Sequence, residues 1–171
     1  MRETTRRGTF GFAVGTVFRA SALCAPLALF GCGGPPPPPP PTIVNVKLVT
    51  TPDVNGGNPV SVRVYQLGSK SGFEGAEFFQ IYNSDTATLG PDLIKKDQNL
   101  LTPNSTKVLT LSPTDAVKAI GIFVAYANYQ TATWRADADV PPNKTTTITA
   151  TIGAAAVKVD SASTPGKPAG S

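Results

Sequence analysis

The chain holds 171 residues, with 15 Lys and Arg against 11 Asp and Glu, two cysteines and no histidine. Four of the bases (Arg2, Arg6, Arg7, Arg19) and one acid, Glu3, precede Cys32, so the rest carries 11 bases and 10 acids, a balance of +1. That leaves no basic cluster for a phosphate backbone, and the commonest general base is missing; nucleic-acid binding and histidine-dependent catalysis are both disfavoured.

Residues 1–31 read as a secretory signal: arginines first, then an apolar stretch from Ala20 to Phe30, then small Gly31 before Cys32. A transmembrane helix is the competing reading. Arg19 leaves only 11 uncharged residues before Gly31, against the roughly 20 that a bilayer needs. Leu29-Phe30-Gly31-Cys32 resembles the bacterial lipobox, which implies cleavage before Cys32 and acylation of that cysteine. Cys24 departs with the signal, so no intrachain disulfide is expected. Each buried methylene contributes about 0.8 kcal/mol, and more than one acyl chain gives stable anchoring without a membrane-spanning helix. Gly33 stands where lipoproteins kept at the inner membrane carry aspartate; the expected location is the outer membrane, inner leaflet, facing the periplasm.

Residues 32–41 form the tether. Pro35 to Pro41 have fixed φ and no amide donor, which predicts a polyproline II rod of roughly 22 Å at about 3.1 Å per residue. The fold is expected over residues 42–152, and residues 153–171, small and polar, are expected to stay disordered.

Between tether and tail the hydrophobic period is mostly two. Val44, Val46 and Leu48 alternate with polar neighbours, as do Val60, Val62 and Val64, Leu109 and Leu111, and Ile148, Ala150 and Ile152; each set predicts a half-buried strand. Ala119 to Ala127, apolar on both parities, predicts a central strand. From Trp134, the residues Trp134, Ala136, Ala138 and Val140 share one face, and Arg135, Asp137 and Asp139 form a solvated one. A capping box at Ser71–Glu74 predicts a short helix with Phe78, Ile81 and Tyr82 on one face, and Ser112–Asp115 predicts a second helix start. The fold class is all-β: a two-sheet sandwich with short helical insertions.

Sites for chemistry are not found. Asp137 and Asp139 face the same way but stand beside Arg135 on an outward, solvated strand face, Gly68–Gly72 lacks phosphate-loop spacing, and Asp53–Gly57 starts like a calcium loop without the later acidic ligands. The Asn55-Gly56 pair suits a tight turn with positive φ. Trp134 is expected in the core. No cofactor, metal or small-molecule substrate is expected.

Strand direction places one surface. The tether enters the first strand at Thr42, and about ten residues at roughly 3.3 Å each carry the chain about 30 Å away. The loop of Thr51, Pro52, Asp53, Val54, Asn55, Gly56, Gly57 and Asn58 therefore lies far from the membrane, with Val54 and Asn55 at its tip. If strands alternate, with one near Asp92 to Leu101, then Thr102–Asn104 and Asn128–Thr133 return to the same end.

Pro59 to Leu67, the Phe73 and Phe78 helix, the Asp85 and Leu89 spacing and Trp134-Arg135, taken with the lipobox, are similar to the TssJ family, outer-membrane lipoproteins of the type VI secretion system. The resemblance implies a transthyretin-like sandwich without catalysis. It also implies recruitment of the periplasmic C-terminal region of TssM, tying the inner-membrane TssL–TssM complex to the outer membrane. The loop between the first two strands is the implied contact. With Asn128, Tyr129 and Gln130 it makes the expected partner surface, beside Cys32 as the lipidation site. A periplasmic lipoprotein whose sandwich binds a small ligand or glycan is the alternative.

Overall fold

In β1 (Ile43–Thr50), Val44, Val46 and Leu48 are buried and Lys47 is exposed, the alternation expected when one face of a strand meets a core. β1 belongs to a computed structural model that describes residues 38–167. The signal segment, Cys24, Cys32 and the first prolines of the tether lie outside the described residues.

Seven further strands follow: β2 (Val60–Leu67), β3 (Leu93–Leu101), β4 (Thr106–Leu111), β5 (Ala119–Ala125), β6 (Arg135–Asp139), β7 (Lys144–Ile152) and β8 (Val157–Pro165). They build two four-stranded sheets of order β4-β1-β7-β8 and β3-β2-β5-β6. All pairings are antiparallel except β1 with β7, which run parallel from Ile43↔Thr145 to Thr50↔Ile152. Between the sheets lies one apolar cluster, with Val44, Val46 and Leu48 facing Val60, Val62, Val64, Ile120, Ile122 and Val124.

A second cluster covers the outer face of the β2–β5 sheet. There Tyr65, Leu67, Ala119 and Phe123 are buried under Phe73 of α1 (Ser71–Gly75) and under Phe78, Ile81 and Leu89 of α2 (Phe78–Leu89). β2 is thus buried on both faces from Val64 to Leu67, not half-buried as its valine alternation suggests. The helices turn its second face into another core layer.

Four local expectations are corrected. Of the segment 153–171 expected to be a tail, the described residues, 153–167, are not free: β8 pairs with the whole of β7, from Ile152↔Val157 to Lys144↔Pro165. Its Val157 and Val159 supply enough alternation to join the core edge. The capping box is made by Glu77 and Gln80 at the start of α2, whose reciprocal bonds include Glu77 N donating to Gln80 Oε1 at 2.8 Å, while Ser71 makes no helix cap. Ser112–Asp115 opens no helix; the segment is a short connection to β5. Arg135 and Asp137 are half-buried rather than solvated, because α1 and the loop before it lie against them, Lys70 Nζ reaching Asp137 Oδ2 at 3.0 Å.

The tether root is fixed at the opposite end from the β1–β2 loop. Asn143 N donates to Thr42 Oγ1 at 2.9 Å and Gly166 N to Asn143 O at 3.2 Å.

Candidate functional site

Four loops meet at the end of the sandwich away from the tether. The β1–β2 loop follows Thr50, the β3–β4 turn joins Leu101 to Thr106, the β5–β6 loop follows Ala125, and the β7–β8 turn joins Ile152 to Val157. Register brings them together, since Val60 pairs with Leu101, Ser61 with Ala125 and Thr50 with Ile152. The convergence expected from strand direction for Thr102–Asn104 and Asn128–Thr133 is observed. The β7–β8 turn, residues 153–156, joins them there, although its small residues predict the start of a disordered tail.

The β1–β2 loop is held by its own backbone. Thr51 O accepts from Val54 N at 3.2 Å and from Asn104 N at 3.3 Å, and Asp53 O accepts from Gly56 N at 3.2 Å. Asn55, Gly56 and Gly57 all have positive φ, at 49°, 67° and 80°, which asparagine and glycine tolerate best. Asn55 then ties this loop to the β5–β6 loop: its Oδ1 accepts from Ala127 N at 2.8 Å and its Nδ2 donates to Pro59 O at 3.2 Å. Asn58 Nδ2 donates to Asn55 O at 3.3 Å. Thr50 Oγ1 donates to Thr102 O at 2.7 Å and Ser105 N donates back to Thr50 Oγ1 at 2.8 Å, which fixes the β3–β4 turn alongside.

Of the predicted residues, Pro52, Asp53, Gly56, Gly57, Asn58, Asn128 and Gln130 are exposed, and Thr51 and Asn55 are half-buried. Val54 is fully buried in the inter-sheet core, so the tip is carried by Asn55 and Gly56 instead. An apolar β-branched side chain at the mouth of a sandwich is drawn inward. Tyr129 turns away from the tip; its ring stacks on Phe78 at 4.5 Å and meets Phe79 edge-on at 4.9 Å.

Between the loops lies a cleft of about 360 Å³, lined by Asn55, Gly56, Tyr126, Ala127, Asn128, Ala132, Ala154 and Ala155. Ala132 falls inside the expected Asn128–Thr133 loop and Ala127 ends the expected central strand, whereas Ala154 and Ala155 fall in the segment expected to be a tail. The available signal was Gly153-Ala154-Ala155-Ala156 as a break between two runs of strand period. No lining residue is ionisable near neutral pH. Burial pushes the Tyr126 hydroxyl pKa up.

On the outer face, Asp85 is the centre of a charged network beneath α2. Its carboxylate accepts from Lys96 Nζ at 2.8 Å, Tyr65 Oη at 3.0 Å, Arg63 Nη1 at 3.3 Å and Thr86 N at 2.7 Å. Burial alone would raise its pKa, but the Lys96 ammonium, the Tyr65 hydroxyl and the Thr86 amide outweigh that and hold it below the usual carboxylate range. Arg63 also donates to Ile81 O and Tyr82 O. Arg135 donates to Phe73 O at 3.1 Å and Ala76 O at 2.6 Å, with its guanidinium 4.7 Å from the Trp134 ring. Trp134 is half-buried between Phe78 and Phe123 at the rim rather than in the sandwich centre. These arginines orient helices by binding their free carbonyls.

Among the described residues no group of His, Cys, Asp and Glu could hold a metal ion, and no helix is long and apolar enough to cross a membrane.

Comparison with known proteins agrees with this architecture. None of the curated proteins matches the chain. Among solved structures, the type VI secretion lipoprotein TssJ1 from Pseudomonas aeruginosa is 30% identical with a TM-score of 0.69, over 74% of this chain and 100% of that one. Serratia marcescens Lip, a membrane-bound component of the type VI secretion system, is 25% identical with a TM-score of 0.66, over 70% and 96%. A chain in the structure of the TssM C-terminal domain from EAEC has a TM-score of 0.56 at 18% identity, over 70% and 98%, and shares the fold. The family of type VI secretion lipoproteins that includes VasD, EvfM and TssJ matches residues 42–155, from the root of β1 through the β7–β8 turn, and the chain belongs to that family.

Proposed function

We propose that the chain is a non-catalytic lipoprotein of the type VI secretion membrane complex. Anchored to the outer membrane through acyl chains on Cys32, it recruits the periplasmic C-terminal region of TssM, and through TssM the inner-membrane protein TssL. Family membership over residues 42–155 supports the secretion role. The lipobox and the proline tether support the anchor.

The observation that carries the partner reading is the convergence of four loops at the end opposite Thr42, where the tether joins the body. A surface so placed faces away from the membrane that holds the tether. It is also rigid: the hydrogen bonds from Asn55 to Ala127 and from Thr50 to Thr102 reduce the ordering entropy that binding would otherwise cost.

The test is replacement of Asp53–Gly57 by a neutral turn of equal length that keeps Val54, whose side chain belongs to the core, with binding of a TssM periplasmic fragment followed by calorimetry. Loss of binding with an unchanged urea melt is expected. Full affinity in that variant would move the interface off this end of the sandwich.

A further inference from the structure

The cleft enclosed by the converging loops has walls that do not depend on a partner. Asn55 holds the first wall to the second through Ala127 N. The third wall, the β7–β8 turn, is fixed to the second by Thr133 N donating to Ala155 O and Val157 N to Thr133 O, both at 2.9 Å. Within the turn, Gly153 N donates to Ala156 O at 2.8 Å. Ala154 and Ala155 are nevertheless exposed, and a volume of about 360 Å³ stays open between them and Ala127. That is at the small end of the range for ligand pockets.

The chemistry of the lining limits what fits. Four alanines and the amides Asn55 and Asn128 line the cleft together with Tyr126, whose hydroxyl is buried without a hydrogen-bond partner; none of these groups carries a charge at neutral pH to pair with a charged occupant. A charge placed there would lose water and gain no counter-charge. An aliphatic or aromatic side chain loses nothing and removes apolar area from solvent. Interfaces concentrate binding energy where such an anchor fills a preformed pocket.

We infer that this cleft is the receptor for one uncharged, apolar side chain projecting from the partner that docks at this end, with Ala155 and Ala127 setting how large that side chain can be. The inference rests on the reading of this end as the TssM-binding surface. It adds a component that the β1–β2 loop alone does not supply: the β7–β8 turn becomes part of the recognition surface.

The experiment uses the full chain and calorimetry with the TssM periplasmic fragment. Ala155→Trp fills the cleft from an exposed position, so the fold should be unaffected, as a urea melt will show. Ala155→Ser keeps the size and is the control. Ala155→Trp is expected to weaken binding at least tenfold, Ala155→Ser to leave it unchanged, and wild-type affinity to be nearly constant between 50 and 500 mM salt.

Full affinity in Ala155→Trp, together with loss of binding on replacing Asp53–Gly57, would overturn the cleft while leaving the loop surface in place. Full affinity in both variants would overturn the two together. Self-association of the wild-type chain in sedimentation, abolished by Ala155→Trp, would assign the cleft to a second copy and likewise overturn the proposal.

Discussion

Lys96 Nζ lies 2.8 Å from Asp85 Oδ1 and 3.1 Å from Oδ2, joining the edge strand β3 to the middle of α2. Asp85 also receives Tyr65 Oη from the centre of β2, so one carboxylate fastens the helical layer to two strands. Its side chain is 8% exposed, and removing it would leave the Tyr65 hydroxyl buried without a partner. Asp85→Ala is expected to cost about 3–5 kcal/mol, as breaking a buried charged network does.

The same group gives an acid-dependent signature. Its folded pKa is depressed, so its contribution is present above the unfolded value of about 3.9 and is lost as pH falls through the folded value. In urea melts the stability gap between the native chain and Asp85→Asn should be largest at neutral pH and should narrow at pH 3. An unchanged gap would show that ionisation of Asp85 contributes nothing.

Gly121 is the seat of α1. A Cβ at that position would lie 3.0 Å from Leu67 Cδ1 and 3.0 Å from Phe73 Cε1, so the glycine permits close approach of Phe73 to the sheet. Gly121→Ala should cost about 1–3 kcal/mol by overpacking. Gly121→Val should cost more. Equal melts for all three would mean that Phe73 does not rest on Gly121.

Strand period made β1, β5 and β7 readable, because Val44, Val46 and Leu48, the continuous run of β5, and Ile148, Ala150 and Ile152 each have one parity or both in a core. β2 misled at Tyr65 and Leu67: its first face reads as alternation, while the second is covered by α2, a tertiary fact with no local mark. β8 was hidden by composition. After Val157 and Val159 it continues as Ser161, Ala162 and Ser163, residues that an edge strand tolerates and that a disordered tail shares. The loop end of the site was legible from strand direction, but the cleft was not, since its third wall belongs to the turn before β8.

Ending the chain at Ile152 tests whether β8 is part of the fold. Thr146 is fully buried and its Oγ1 shares a hydrogen bond of 2.9 Å with Ser163 Oγ, while Val157 closes the core beside Ile152. Without β8 both are opened and β7 becomes a bare edge. The chain ending at Ile152 should melt at lower urea and associate on standing, whereas one ending at Lys167 should match the whole protein. Identical melts would make β8 an adornment.

Cleavage before Cys32, as proposed, would leave it the only cysteine of the chain. Cys32→Ser should therefore move the protein from the membrane fraction to the soluble one, with the sandwich still folded by circular dichroism. Mass spectrometry that finds an unmodified Cys32 on membrane-bound wild type would refute acyl anchoring.

Where the tether meets the sandwich, Gly166 lies against Pro40. A Cβ there would be 2.8 Å from Asn143 O and 2.8 Å from Pro40 Cβ; backbone blocks it on one side and a proline ring on the other. Neither neighbour can yield easily. Asn143 has φ 59° in the turn before β7 and donates to Thr42 Oγ1, while proline has a fixed φ and few rotamers. Gly166→Val should therefore lift the end of β8 away from Pro40 and break the bond from Gly166 N to Asn143 O, leaving the core untouched. The expected outcome is a urea midpoint close to wild type with much faster amide exchange at residues 143 and 166, because local opening needs no global unfolding. Lys167→Val, at an exposed position, should leave that exchange slow. Slow exchange at both amides in Gly166→Val would mean that the tether root is held by Thr42 and Asn143 alone, with Pro40 free of the end of β8.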